Sequence, residues 1–226
     1  MRYLSLALFA EGESDHGFLQ GVLFRLTFET ANRLSESAVE ISESFTRGRP
    51  YVGGESRVQR IERAFGGALS TSTINLLFIH ADGDSDAPAA LRERIEPCIS
   101  YIQMRFPTVE FECVPVIPVR ASEAWALADP NAVIAEFGTK KSAPELGIDF
   151  QQGALEKLQD PKMVLKRIHD IVGGRRRKKG HLIPAGLGNR IELNSLRSLP
   201  AFRRLESELE SSLRRLWKID EVANGG

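Results

Sequence analysis

Cysteine is nearly missing from this 226-residue chain, which has only Cys98 and Cys113. One falls in an expected helix and the other in an expected strand. Neither a disulfide framework nor a cysteine-built zinc site is therefore expected, and a reducing cytoplasm fits. Net charge is also missing, since 30 Lys and Arg balance 30 Asp and Glu. No stretch approaches the roughly 20 apolar residues of a membrane-spanning helix, so no membrane association is expected. The first ten residues superficially resemble a signal segment, but they run straight into Glu11-Gly-Glu13 and alternate as a strand does. Repeats and low-complexity segments are missing as well. With 42% hydrophobic residues, the chain has enough apolar material for one substantial α/β core and a small appended subdomain.

The zero balance of charge hides an uneven distribution. Residues 1–156 hold 14 basic and 22 acidic side chains, whereas residues 157–218 hold 16 basic and 6 acidic. Such a split suggests an acidic site and a basic surface in one molecule.

The chain is organised around Ile74-Asn-Leu-Leu-Phe-Ile-His-Ala-Asp82-Gly-Asp84-Ser-Asp86. A run of apolar, mostly branched or aromatic residues ending in three alternating carboxylates reads as a buried parallel strand that delivers acids to its C-terminal tip. Open α/β sheets place their chemistry at that end. Carboxylates so close together repel one another, and a hard divalent cation, Mg²⁺ or Mn²⁺, is the simplest way to hold them ionised. Asp82 and Asp84 are the first candidate ligands, while Asp86, just ahead of Pro88, reads as a helix cap.

Earlier in the chain, Tyr3–Ala10 reads as a strand followed by the turn Glu11-Gly-Glu-Ser-Asp15. Ser14 or Asp15 is expected to cap a helix carrying Phe18, Leu19, Val22, Leu23 and Leu26. Gly12 would allow the tight turn that projects Glu11 and returns Asp15 to the strand tip. Val39–Phe45 reads as a second strand, and Arg47 to Gly54 as a basic connection. Arg57–Leu69 and the Leu91, Ile95, Ile99, Ile102 series read as helices. Phe111–Val119 is a fourth strand that Pro115 and Pro118 confine to a short or edge position. Glu123 then begins a short Ala-rich helix, where a carboxylate serves either a metal or the helix dipole.

The strand–helix rhythm implies an α/β fold, with about four mostly parallel strands flanked by helices over residues 1–130. Residues 131–226 read as a mainly helical C-terminal subdomain. It contains a helix after Asp160-Pro-Lys162 and the glycine-bounded basic run Arg175, Arg176, Arg177, Lys178, Lys179. An amphipathic helix with Phe202, Leu205, Leu209, Leu213 and Leu216 follows. The basic run suits contact with the phosphates of nucleic acid.

The Asp-rich turn departs from a Ca²⁺ loop, because Ala87 stands where the sharp bend needs glycine and a strand precedes it instead of a helix. Taken together, Glu11-Gly-Glu-Ser-Asp15, Asp82-Gly-Asp84 and Glu123 resemble the Toprim domain of topoisomerases, primases and overcoming-lysogenization-defect nucleases. The chain is also similar to small stand-alone bacterial Toprim-like proteins of unknown function, which carry motifs like Glu123-Ala-Trp125 and Asp160-Pro-Lys162. The resemblance implies Mg²⁺- or Mn²⁺-dependent phosphodiester chemistry on DNA or RNA, most simply by a nuclease. It further implies an ATPase or other partner protein and a place in bacterial defence. Glu11 would be a metal ligand or general acid/base, and Asp82 and Asp84 the main ligands. Asp15 and Glu123 would serve a second ion, and Lys162 would meet charge on the phosphate. A different class of protein, a non-catalytic module that binds metal and nucleic acid, fits the same residues. A relaxing topoisomerase does not fit, since no tyrosine motif can be assigned. Nor does a zinc-ribbon primase, since two cysteines cannot build the ribbon.

Overall fold

The structure, a computed structural model, describes residues 1–42, 54–150, 153–172 and 182–219. The Arg47-Gly-Arg-Pro-Tyr-Val-Gly segment and the Arg175–Lys179 run lie outside the described residues.

Four strands form one parallel sheet: β1 (Arg2–Phe9), β2 (Val39–Ser42), β3 (Leu76–His80) and β4 (Glu112–Val116). Their order is β2-β1-β3-β4. Leu6 pairs with Leu76, Phe9 with Ile79 and His80 with Val116. Every residue of β3 is buried, as the continuous apolar run requires of a strand covered on both faces. β4 takes the sheet edge, where the missing N–H of Pro115 does least harm to the ladder.

The helices are α1 (Glu13–Leu34), α2 (Arg57–Leu69), α3 (Ala87–Ala90), α4 (Glu96–Arg105) and α5 (Ser122–Ala126), followed by α6 (Pro130–Phe137), α7 (Ala143–Leu146), α8 (Pro161–Val172), α9 (Leu187–Arg190), α10 (Leu193–Leu196) and α11 (Pro200–Trp217). Alternation along β1 sorts the core into two layers. Leu4, Leu6 and Leu8 face Phe18 and Val22 of α1 and join a cluster that includes Phe202 and Leu209 of α11. Ala7 and Phe9 face the opposite way, toward Ile61 and Phe65 of α2 and Ile102 of α4. Trp125 is fully buried against Phe202, with ring centroids 5.3 Å apart, so it belongs to the core and is not a base-stacking platform. No helix among the described residues is long and apolar enough to cross a membrane.

The helix expected around Leu91–Ile102 is interrupted. Leu91–Ile95 forms a π turn in which the N–H of Glu96 reaches the carbonyl of Leu91. Pro97 supplies the reason, because a proline inside a helix lacks its N–H and crowds the carbonyl four residues back, and a widened turn relieves the crowding.

Candidate metal centre

The strand order reverses between β1 and β3, so the chain leaves these neighbours in opposite directions and opens a crevice at their C-terminal ends. β1 leads into Gly12 and the first turn of α1, which carries Asp15. β3 ends at His80, with Asp82 two residues beyond on the same face of the pleat. Ligand atoms of Asp15, His80 and Asp82 all lie within 4.8 Å of one another.

Neither Ser14 nor Asp15 caps α1, contrary to expectation. The cap position is Gly12, which makes no side-chain cap bond, and both polar side chains are used in tertiary contacts instead. Ser14 Oγ accepts the N–H of Ile183 at 3.0 Å, and Asp15 accepts from the Ser122 hydroxyl. Gly12 is needed for a different reason from the one expected. Its φ of −123° suits any residue, but a Cβ there would stand 2.7 Å from the Asp15 carboxylate. The missing side chain makes the room that Asp15 occupies.

Asp82 is only 15% exposed, with Lys162 Nζ 3.3 Å from Oδ2 and His80 Nε2 3.4 Å from Oδ1. Burial works against its ionisation, but His80 and Lys162 outweigh that effect and hold the carboxyl below its ordinary value. Glu123 contributes a third acid from the first turn of α5 and is 4% exposed. Burial pushes its carboxyl up to about 7; its own backbone and Lys162 pull the other way, while Asp15 and Asp82 add to the rise. Lys162 arrives at the start of α8. Burial disfavours its charge, yet Glu123, Asp82 and Asp15 together raise its pKa.

Glu11 and Asp84 are not brought into this cluster. Glu11 pairs with Arg57, whose guanidinium also donates to the carbonyl of His80, so Glu11 reaches the β3 tip through an arginine. Asp84 turns outward, 70% exposed, and pairs with Arg94 at 3.0 Å. The backbone N–H of Ala89 donates to Asp86 at 2.8 Å, the expected helix cap.

The donors present fit a divalent cation. Both ring nitrogens of His80, Oδ1 of Asp82 and Oε2 of Glu123 are buried and lack a hydrogen-bond partner. An unsatisfied buried polar group costs about 1–3 kcal/mol, so these atoms call for a partner, and an ion or an ordered water would supply one. Carboxylates beside an imidazole suit an ion that accepts oxygen and nitrogen. His80 is the residue that sequence reasoning missed, because it closes an apolar run and reads as the last core position. Its parity with Asp82 at the strand tip was the available signal.

Fold and site together define a three-layer α/β protein with a carboxylate–imidazole cluster that could bind a metal ion at the switch point of its sheet. Comparison with family models, curated proteins and solved structures found no match for the chain.

Proposed function

We propose that this chain is a divalent-metal-dependent phosphodiester hydrolase acting on nucleic acid, a nuclease of the Toprim type that works with Mg²⁺ or Mn²⁺. The observation that carries the reading is the convergence of Asp15, from the first turn of α1, with His80 and Asp82 at the end of β3, with unsatisfied buried ligand atoms among them. The order of the acidic motifs along the chain supports it. So does Lys162, a cation placed against the acids where a phosphate oxygen could meet it.

Asp15, His80 and Asp82 would hold the ion, with Glu123 beside them. When bound, the ion supplies charge neutralisation at phosphate oxygens and a more acidic water. Glu123, buried beside the cluster, is placed to accept and return a proton. Lys162, beside Asp82, would be placed to pair with the scissile phosphate. Arg57 fixes the β3 tip through the His80 carbonyl and holds Glu11 beside it.

The test is cleavage of single- and double-stranded DNA and RNA with Mg²⁺ or Mn²⁺, comparing wild type with Asp82→Ala. Metal-dependent cleavage that disappears in the variant is expected. Binding of nucleic acid by wild type without cleavage under either metal would overturn the enzymatic reading in favour of a non-catalytic binding module.

A further inference from the structure

Resting on the metal reading above, we propose that His80 is a direct ligand and makes the site selective for a first-row transition ion over Mg²⁺. His80 is fully buried, and its Nδ1 has no hydrogen-bond partner. A histidine in an ordinary core satisfies its ring nitrogens with hydrogen bonds. Here Nε2 faces only Asp82 Oδ1, at 3.4 Å, an ion-pair contact too long and poorly aligned to be a well-formed hydrogen bond.

Two ligand atoms each about 2.1 Å from one ion stand about 3.0 Å apart at a right angle and about 3.4 Å apart at a tetrahedral angle. The pair is therefore spaced as ligands of a shared ion, and wider than a well-formed hydrogen bond. Asp15 brings a third candidate ligand atom within 4.8 Å of the other two.

The chemistry of the set then decides the ion. Mg²⁺ prefers oxygen, holds its waters and gains little from an imidazole, whereas neutral imidazole binds first-row transition ions well. A strand end that needed only Mg²⁺ would do better with a hydroxyl, an amide or a third carboxylate at position 80.

Pulsed electron paramagnetic resonance on tag-free wild-type protein loaded with one equivalent of Mn²⁺ tests the assignment. Nitrogen modulation from a directly bound imidazole is expected, changing to the ¹⁵N pattern when the protein is made with ¹⁵N-histidine. In competition dialysis Mn²⁺ should displace Mg²⁺, and more strongly from wild type than from His80→Asn. His80→Asn should lose the modulation and most of the preference while still gaining thermal stability from Mg²⁺. Bound Mn²⁺ with no histidine nitrogen modulation in wild type overturns the proposal and leaves the carboxylate site standing. Dialysis showing that wild type holds no divalent ion overturns the metal site itself. The isotope experiment uses the native sequence, so its outcome does not depend on whether the variant folds.

Discussion

Between the ordinary carboxylate range and neutrality, the folded protein holds a proton on Glu123 that the unfolded chain has already released. Its carboxyl is pushed by burial from the reference value of 4.5 up to about 7. The native state binds more protons than the unfolded state in that interval, so stability falls as pH rises through it. The contribution is fully present below about pH 4.5 and is lost as pH passes about 7. Metal-free wild type should therefore melt at a lower temperature at about pH 8 than at about pH 5, with a steeper slope than Glu123→Gln, which cannot ionise. Parallel slopes for the two proteins in calorimetry would remove Glu123 as the group responsible. At this scale the sequence was readable for Asp82, just past the end of β3, and for Asp15, which the first turn of α1 returns to the strand tip. It was not readable for Glu11 and Asp84, whose partners Arg57 and Arg94 come from helices that only folding brings to the strand tips.

The turn between β3 and α3 shows how one element sets the geometry of the site. The N–H groups of Gly83 and Ser85 donate to the carbonyls of Pro118 and Val119 at 2.9 and 2.8 Å, tying the exits of β3 and β4 together. Asp84 and Ser85 adopt φ of 48° and 76°, an uncommon region for residues with a side chain. A Cβ at Gly83 would lie 2.5 Å from both carbonyl oxygens, and backbone on a paired strand exit cannot easily withdraw. Gly83→Ala should therefore cost about 1–3 kcal/mol of stability and shift Asp82, weakening Mn²⁺ binding as well. Denaturant melts and dialysis check both, and wild-type behaviour in both would show that the turn is more pliable than its contacts imply. The four strands and the edge position of β4 were legible from apolar runs and prolines. The π turn was not, because the helical period of Leu91, Ile95, Ile99 and Ile102 continues straight through Pro97 and conceals the break. Arg94 sits on that turn and reaches both the Asp82 carbonyl and the Asp84 carboxylate, so the irregularity belongs to the site's surroundings.

Across the whole molecule, the acidic and basic segments of the sequence are joined by several ion pairs, among them Arg190–Glu136, Arg197–Glu29 and Arg215–Glu112, and one more lies at the cluster. Lys162, near the start of the basic segment, stands against Asp82 from the acidic one. From there α8 continues to Val172, and the sequence then enters Gly173-Gly-Arg175-Arg-Arg-Lys-Lys179. The run itself lies outside the described residues, but the chain just past it comes back to the site, where Ile183 N–H donates to Ser14 Oγ, one residue before Asp15. By its charge the run is suited to phosphate contact. Replacing Arg175, Arg176, Arg177, Lys178 and Lys179 with neutral residues should weaken binding of Asp82→Ala protein to every duplex tested. It should also flatten the dependence of log affinity on log salt by roughly 0.9 for each phosphate that the run no longer neutralises. Asp82→Ala alone, with the run intact, should keep the full salt slope. The catalytic-site variant serves as the background so that cleavage cannot distort the measurement. An unchanged slope after neutralisation would mean that the run makes no phosphate contact. Any affinity left would then have to come from the cations already seen around the cluster, Lys162 foremost among them.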